Sequence, residues 1–165
     1  MRTDILKYYN NLAVTYDKNR FGNSYGKYID QQEKSFLNYF FYDKNYSTVL
    51  DLGCGTGRLL NFATHGTDFS EEMLHIARQK YPHKKLEKGE ISKIPFIDEF
   101  DCIFCFHVIM HQNKKETEAF LDECYSKLNK KRNSNFRLSD EKTAKSCFST
   151  GRLACWKPFY TKRNF

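Results

Sequence analysis

No stretch of this 165-residue chain approaches the run of ~18 apolar residues that a membrane-spanning helix requires. The opening Met1-Arg2-Thr3-Asp4 also lacks the apolar core of a secretory signal. Both absences lead to the expectation of a cytoplasmic protein with no membrane partner. No internal repeat is visible, and the length fits one domain. Six cysteines are present, at 54, 102, 105, 124, 147 and 155. They are scattered rather than framed for disulfides, and most have apolar neighbours, where a free thiol acts as a small hydrophobe. Cys102 and Cys105 form a single C-x-x-C, but no second Cys/His pair at ligand spacing accompanies it. On a strand, residues three apart face opposite ways. A shared metal is therefore not expected, and the cysteines read as structural.

Acidic residues are outnumbered, with 27 Lys and Arg against 20 Asp and Glu, for a formal charge of +7. The excess is local. Residues 130–165 hold ten Lys/Arg and two Asp/Glu, a net of +8, which leaves −1 for residues 1–129. The body of the chain is thus neutral, and the basic character belongs to a tail. Such a tail is a solvated stretch or a nonspecific contact for RNA or DNA. Fifteen Phe and eleven Tyr supply apolar material for a core.

The most informative segment runs from Thr48 to Leu60. Val49-Leu50-Asp51-Leu52 is a short apolar run suited to a buried parallel strand. Gly53, Gly55 and Gly57 follow at alternate positions, with Cys54 and Thr56 between them. They let the backbone turn tightly and approach a ligand without Cβ atoms in the way. Arg58 to Ala63 can then begin a helix, whose first N–H groups would lie beside the ligand. A dinucleotide fingerprint needs its third small residue one position later, where Arg58 stands. Asp51 would also repel a pyrophosphate. A carboxylate there suits S-adenosylmethionine (SAM), which carries an ammonium and a sulfonium and no phosphate.

The segment 49–57 resembles the first motif of class I SAM-dependent methyltransferases, and further segments add to the likeness. Residues 8–20 resemble the N-terminal cap of that family, with its Tyr-x-x-x-Ala-x-x-Tyr-Asp pattern. The resemblance implies that Tyr16, with Arg20 nearby, closes over the methionine end of SAM. Gly66, Asp68, Ser70, Met73 and Leu74 match the family's second motif. There Asp68 would take the ribose hydroxyls, and Phe69 would pack against adenine. Ser70 is a natural N-cap, and Glu71 and Glu72 suit a first helical turn. Gly89-Glu90-Ile91 resembles the family's Gly-Asp-Ala segment, with Glu90 in place of Asp. Glu90 would accept from the adenine amino group, and the Ile91 N–H would meet the ring.

Around these motifs the periodicity predicts helices over 4–16, 27–41 and 115–128, and strands at 64–68, 85–90 and 99–111. The last strand is nearly continuous in apolar residues and so central. Its end, Phe106 and His107, would face the methyl group, because ligands in such sheets bind at the strands' carboxyl ends. His111 stands where the family often has a histidine, and either His107 or His111 suits a general base.

The expected fold class is α/β, a Rossmann-like class I methyltransferase sandwich with a mostly parallel sheet. Residues 1–130 form the SAM-binding domain, 1–45 its helical cap, and 131–165 a divergent basic tail. The resemblance ends near residue 128, where the family's Leu-x-Pro-Gly-Gly turn is replaced by a segment with neither proline nor glycine. Residues 135–138 or 152–156 supply at most one more strand, and the C-terminal strands are incomplete. The expected function is methyl transfer from SAM to a small-molecule or tRNA acceptor. The alternative is a truncated, non-catalytic domain that binds SAM, or a partner chain along an unpaired fourth-strand edge. An NAD-linked oxidoreductase is a third option, and no NADH binding is expected.

Overall fold

The computed structural model describes residues 2–108, 112–129 and 153–156. Helix α1 (Arg2–Leu12) leads through a 3-10 turn (Ala13–Thr15) into α2 (Tyr16–Phe21) and α3 (Ser24–Phe41). Strand β1 (Val49–Leu52), a 3-10 turn (Leu60–Phe62), β2 (His65–Asp68), α4 (Glu71–Lys80) and β3 (Lys85–Lys88) follow. Strand β4 (Cys102–Phe106), α5 (Lys114–Lys127) and β5 (Leu153–Trp156) complete the order. The five strands form one sheet in the order β3-β2-β1-β4-β5, and every pairing is parallel.

Strands β1 and β4 are buried along their whole length, which explains their apolar sequences, interrupted only by Asp51. Their side chains divide by period two between two cores. Val49, Cys102, Phe104 and Phe106 join Leu37 of α3 and Leu74 and Ala77 of α4 on one face. Leu50, Leu52, Ile103 and Cys105 join Phe120 and Cys124 of α5 on the other. Cys102 and Cys105 therefore lie on opposite sides of the sheet, as strand geometry requires.

Three sequence expectations need correction. The helix expected over 4–16 is not continuous, because α1 ends at Leu12 and a second helix starts at Tyr16. The 3-10 turn redirects the chain, Asn19 Nδ2 donates to Thr15 Oγ1 at 3.0 Å, and α2 runs on to Phe21. After the glycine loop there is no α-helix, only the 3-10 turn. Thr64 N–H already donates to Val49 carbonyl at 2.9 Å, so the chain must return to the sheet at once. Finally, the edge of β4 is not unpaired, because β5 lies against it in register from Ile103↔Leu153 to Phe106↔Trp156. Of the two expected candidates, the second supplies the extra strand, over Leu153–Trp156. The alternative at 135–138, and the basic tail as a whole, lie outside the described residues.

The entry to β4 is held by Asp101, which is 2% exposed. One of its oxygens, Oδ2, accepts from Ser47 N–H and Ser47 Oγ at 2.8 Å each, and from Thr48 N–H at 3.3 Å. Substituting Asp101→Ala strands those donors and is expected to cost about 2–3 kcal/mol. Thermal unfolding should register this as a fall in Tm of roughly 5–10 °C.

Candidate functional site

In the order β3-β2-β1-β4-β5 the chain reverses direction of growth between β1 and β4. A crevice opens at the carboxyl ends of strands at such a point, and here it forms a cavity of about 580 Å³. Gly53 and Gly55 line it at the end of β1, Asp68, Phe69 and Met73 at the end of β2, and Glu90 and Ile91 beyond β3. Phe106, His107 and Val108 line it at the end of β4. Ile5, Leu6, Tyr9 and Tyr16 of the N-terminal helices also line it, forming its apolar side.

The glycine loop owes its shape to positive φ. Gly53 has φ +81°, and a Cβ there would stand 2.4 Å from Val108 Cγ2. Gly55 has φ +52°, and a Cβ there would have nothing within 4 Å. One glycine is required by a close approach, and the other borders open space. The loop is fastened from three directions. Gly53 and Cys54 N–H groups donate to the Thr67 carbonyl at 2.7 and 3.0 Å. Gly55 N–H donates to Asp68 Oδ2 at 2.9 Å. Thr56 Oγ1 donates to Asp17 Oδ1 of α2 at 2.6 Å, and Lys80 Nζ donates to Asp17 Oδ2 at 2.5 Å.

Asp68 is the best-framed polar group. Its Oδ1 accepts from Ser70 N–H at 2.9 Å, while Ser70 Oγ caps α4 by accepting from Met73 N–H at 3.2 Å. The same Ser70 hydroxyl donates to Asn10 Oδ1 at 2.7 Å, tying α1 to this corner. Burial pushes the Asp68 carboxyl up from 3.8 to about 6, opposed by its bonds from the Ser70, Gly55 and Phe69 backbone. Tyr9 meets Phe69 edge-on, with ring centroids 5.9 Å apart. Burial pushes the Tyr16 phenol up to about 12, so it keeps its proton and remains a donor.

Of the sequence-predicted residues, Tyr16, Gly53, Gly55, Asp68, Phe69, Met73, Glu90, Ile91, Phe106 and His107 come together around this cavity. Five others do not line it. Cys54 packs into the core, where burial raises its thiol, and Thr56 and Gly57 lie on the buried side of the loop. Arg20 is exposed and donates to the Tyr8 hydroxyl at 3.3 Å. Asp51 is 3% exposed within β1, and burial pushes it up to about 8 despite the nearby Arg58. His111 lies outside the described residues.

Sequence reasoning missed Tyr9 as a wall of the cavity, and it missed Glu33. Glu33 is fully buried on α3, bonded to Arg58 and, at 2.6 Å, to His107 Nε2. Its signal was present, since an acid lies four residues after Ile29 and four before Leu37 on the apolar side of α3. An acid on that stripe calls for a buried partner.

A parallel sheet with this strand order, a glycine loop after β1 and a framed acid after β2 define a Rossmann-like nucleoside-binding domain. Residues 49–131 match the methyltransferase domain family, and the chain belongs to it. It is 28% identical over 132 residues to an uncharacterized methyltransferase of Alkaliphilus oremlandii, covering 72% of this chain and 61% of that protein. It is 30% identical over 128 residues to another from Anoxybacillus flavithermus, covering 70% and 59%. The chain thus spans about three fifths of the length of these relatives. Among solved structures, its fold is similar to magnesium protoporphyrin IX methyltransferase from Synechocystis PCC 6803 with bound SAM. That match has a TM-score of 0.65 and 21% identity over 77% of this chain and 71% of the other. Among the described residues, no helix is long and apolar enough to cross a membrane.

Proposed function

We propose that the chain is a SAM-dependent methyltransferase acting on a small molecule. The observation that carries this is the pairing of an open, glycine-walled cradle at Gly55 with a buried acid, Asp68, on one cavity wall. The residues present fit SAM: a side-chain-free loop admits its methionine part, and a carboxylate offers two acceptors to its vicinal ribose hydroxyls. SAM supplies the electrophilic methyl group, on a sulfonium sulfur. Asp68 holds the ribose, Phe69 and Met73 flank the base, and Glu90 with the Ile91 N–H meets the adenine edge. Tyr16 and the Gly53–Gly57 loop receive the methionine end, with Asp51, Cys54 and Thr56 buried beside them. Phe106 and His107 stand where an acceptor enters, and the side formed by α1 excludes water through Ile5, Leu6 and Tyr9. Arg20 and His111 are assigned no contact. The described free thiols at Cys54, Cys102, Cys105 and Cys124 suit a cytoplasmic setting.

Holding an acceptor in line with the methyl group supplies most of the needed acceleration. The mostly apolar lining and a neutral body favour a small acceptor over RNA. Incubation with methyl-labelled SAM and, separately, small aromatic alcohols and amines or bulk tRNA tests this. Label is expected in the small molecules. Label in tRNA alone would overturn the acceptor class, and SAM binding with no transfer would favour the non-catalytic reading.

A pH effect follows from Asp68. Its folded value lies above 3.8, so its ionised form is disfavoured by folding, and its contribution to stability declines as pH rises from about 4 through 6. Binding has the opposite sign, because ribose hydroxyls donate to the ionised carboxylate. The affinity for S-adenosylhomocysteine (SAH) is expected to be flat above pH 7 and about tenfold weaker at pH 5. Calorimetric titrations at pH 5 and 7.5 measure it.

A further inference from the structure

Outside the contacts assigned to SAM, one group of buried charges has no role in cofactor binding. Glu33, fully buried on α3, bonds to the Arg58 guanidinium through one oxygen and to His107 Nε2 at 2.6 Å through the other. Arg58 in turn donates to Asp30 Oδ1 at 2.7 Å and lies 4.1 Å from the Phe21 ring centroid. Asp30 is shared with Lys34, at 2.7 Å. The network therefore runs from the helical cap, through the residue after the glycine loop, to the end of β4.

His107 has φ +62°, a left-handed backbone that is uncommon outside glycine. Its side chain is 28% exposed, and the residue lines the cavity beside Phe106 and Val108. Strained positions of this kind, held by surrounding contacts, concentrate at working sites. A carboxylate paired with a guanidinium is an acceptor, so Nε2 must carry the proton and donate it to Glu33. Nδ1 is then the nitrogen with the free lone pair.

Resting on the methyltransferase reading above, we propose that Glu33 is a positioning residue that fixes His107 as a general base acting through Nδ1. The acceptor class narrows accordingly to a small, chiefly apolar molecule whose nucleophile bears a proton, a hydroxyl or an amine. In the transfer, the acceptor heteroatom bonds to the methyl carbon, and the electron pair of the breaking C–S bond stays on sulfur. The acceptor's proton passes to His107 Nδ1 and afterwards to water. The Glu33 carboxylate balances the imidazolium meanwhile, as carboxylates behind catalytic histidines do. A thioether or other proton-free nucleophile would gain nothing from this arrangement.

Nitrogen-15 NMR of the histidine rings tests the proposal on the full chain, with and without SAH. The His107 signals are those missing from the His107→Asn variant, since Asn tolerates the left-handed backbone. In the wild type, the Nε2–H tautomer is expected to exceed the other by at least about tenfold, the bias of a charge-assisted hydrogen bond. In Glu33→Gln the bias is expected to fall to within about threefold of parity, because an amide both donates and accepts. A wild-type ring protonated at Nδ1, or a tautomer ratio unchanged in Glu33→Gln, would overturn the proposal. The wild-type measurement decides it even if the variant does not fold. SAH titration of the same sample separates the two levels: absence of SAH binding sinks the methyltransferase reading, whereas binding with the wrong tautomer sinks only the role of Glu33.

Discussion

Replacing Asp68 with Ala is expected to weaken SAH binding by between about tenfold and a hundredfold. One or two charge-assisted hydrogen bonds to the ribose hydroxyls would be lost, each contributing about 1.5–3 kcal/mol less its share of desolvation. The effect extends beyond the ligand. Asp68 accepts from Gly55 N–H and Ser70 N–H at 2.9 Å each, so the substitution also loosens the loop and the start of α4. Asp68→Asn separates the two contributions. Its amide keeps one acceptor oxygen but must point an NH2 group at a backbone donor or at the ribose. It should fall between wild type and Asp68→Ala in affinity. Equal isotherms for all three proteins would remove Asp68 from the site.

The second large effect is a contrast between two glycines given the same new methyl group. Gly53→Ala forces φ +81° on a residue with a Cβ and drives that Cβ to 2.4 Å from Val108 Cγ2. Left-handed strain of about 1–2 kcal/mol adds to overpacking of about 1–3 kcal/mol. A total near 2–5 kcal/mol should lower Tm by roughly 5–15 °C, and SAH affinity should fall with the distorted loop. Gly55→Ala meets φ +52° and no atom within 4 Å, so only the strain applies. It should cost about 1 kcal/mol of stability. If Gly53→Ala were the milder change, the close packing of the loop against the end of β4 would be wrong.

Those two positions also show what the sequence could convey. The glycine spacing signals a turn with backbone near a ligand, and Asp68 with Ser70 is legible because strand end, acid and N-cap follow one another in the chain. The split of Cys102 and Cys105 between two cores follows from strand period alone. Other features depend on how distant segments meet. How deeply Asp51 is buried, which raises its carboxyl, is set by packing that residue type alone does not convey. The bond between Glu33 and His107 spans 74 positions in the chain. The sequence marks Glu33 as an acid on an apolar helix stripe but says nothing of its partner. The Arg58 that excluded a dinucleotide fingerprint proved to be the guanidinium that Glu33 requires. The short 3-10 turn after the loop, in place of a helix, reflects the early return to β2, a constraint set by pairing of β1 with β2.

The most direct test of the central claim is a crystal structure of the protein with SAH. SAH is expected in the cavity between the β1 and β4 ends, its ribose hydroxyls within hydrogen-bonding distance of Asp68 and its homocysteine part over Gly53–Gly57. SAH bound elsewhere, or a ribose turned away from Asp68, would contradict that claim.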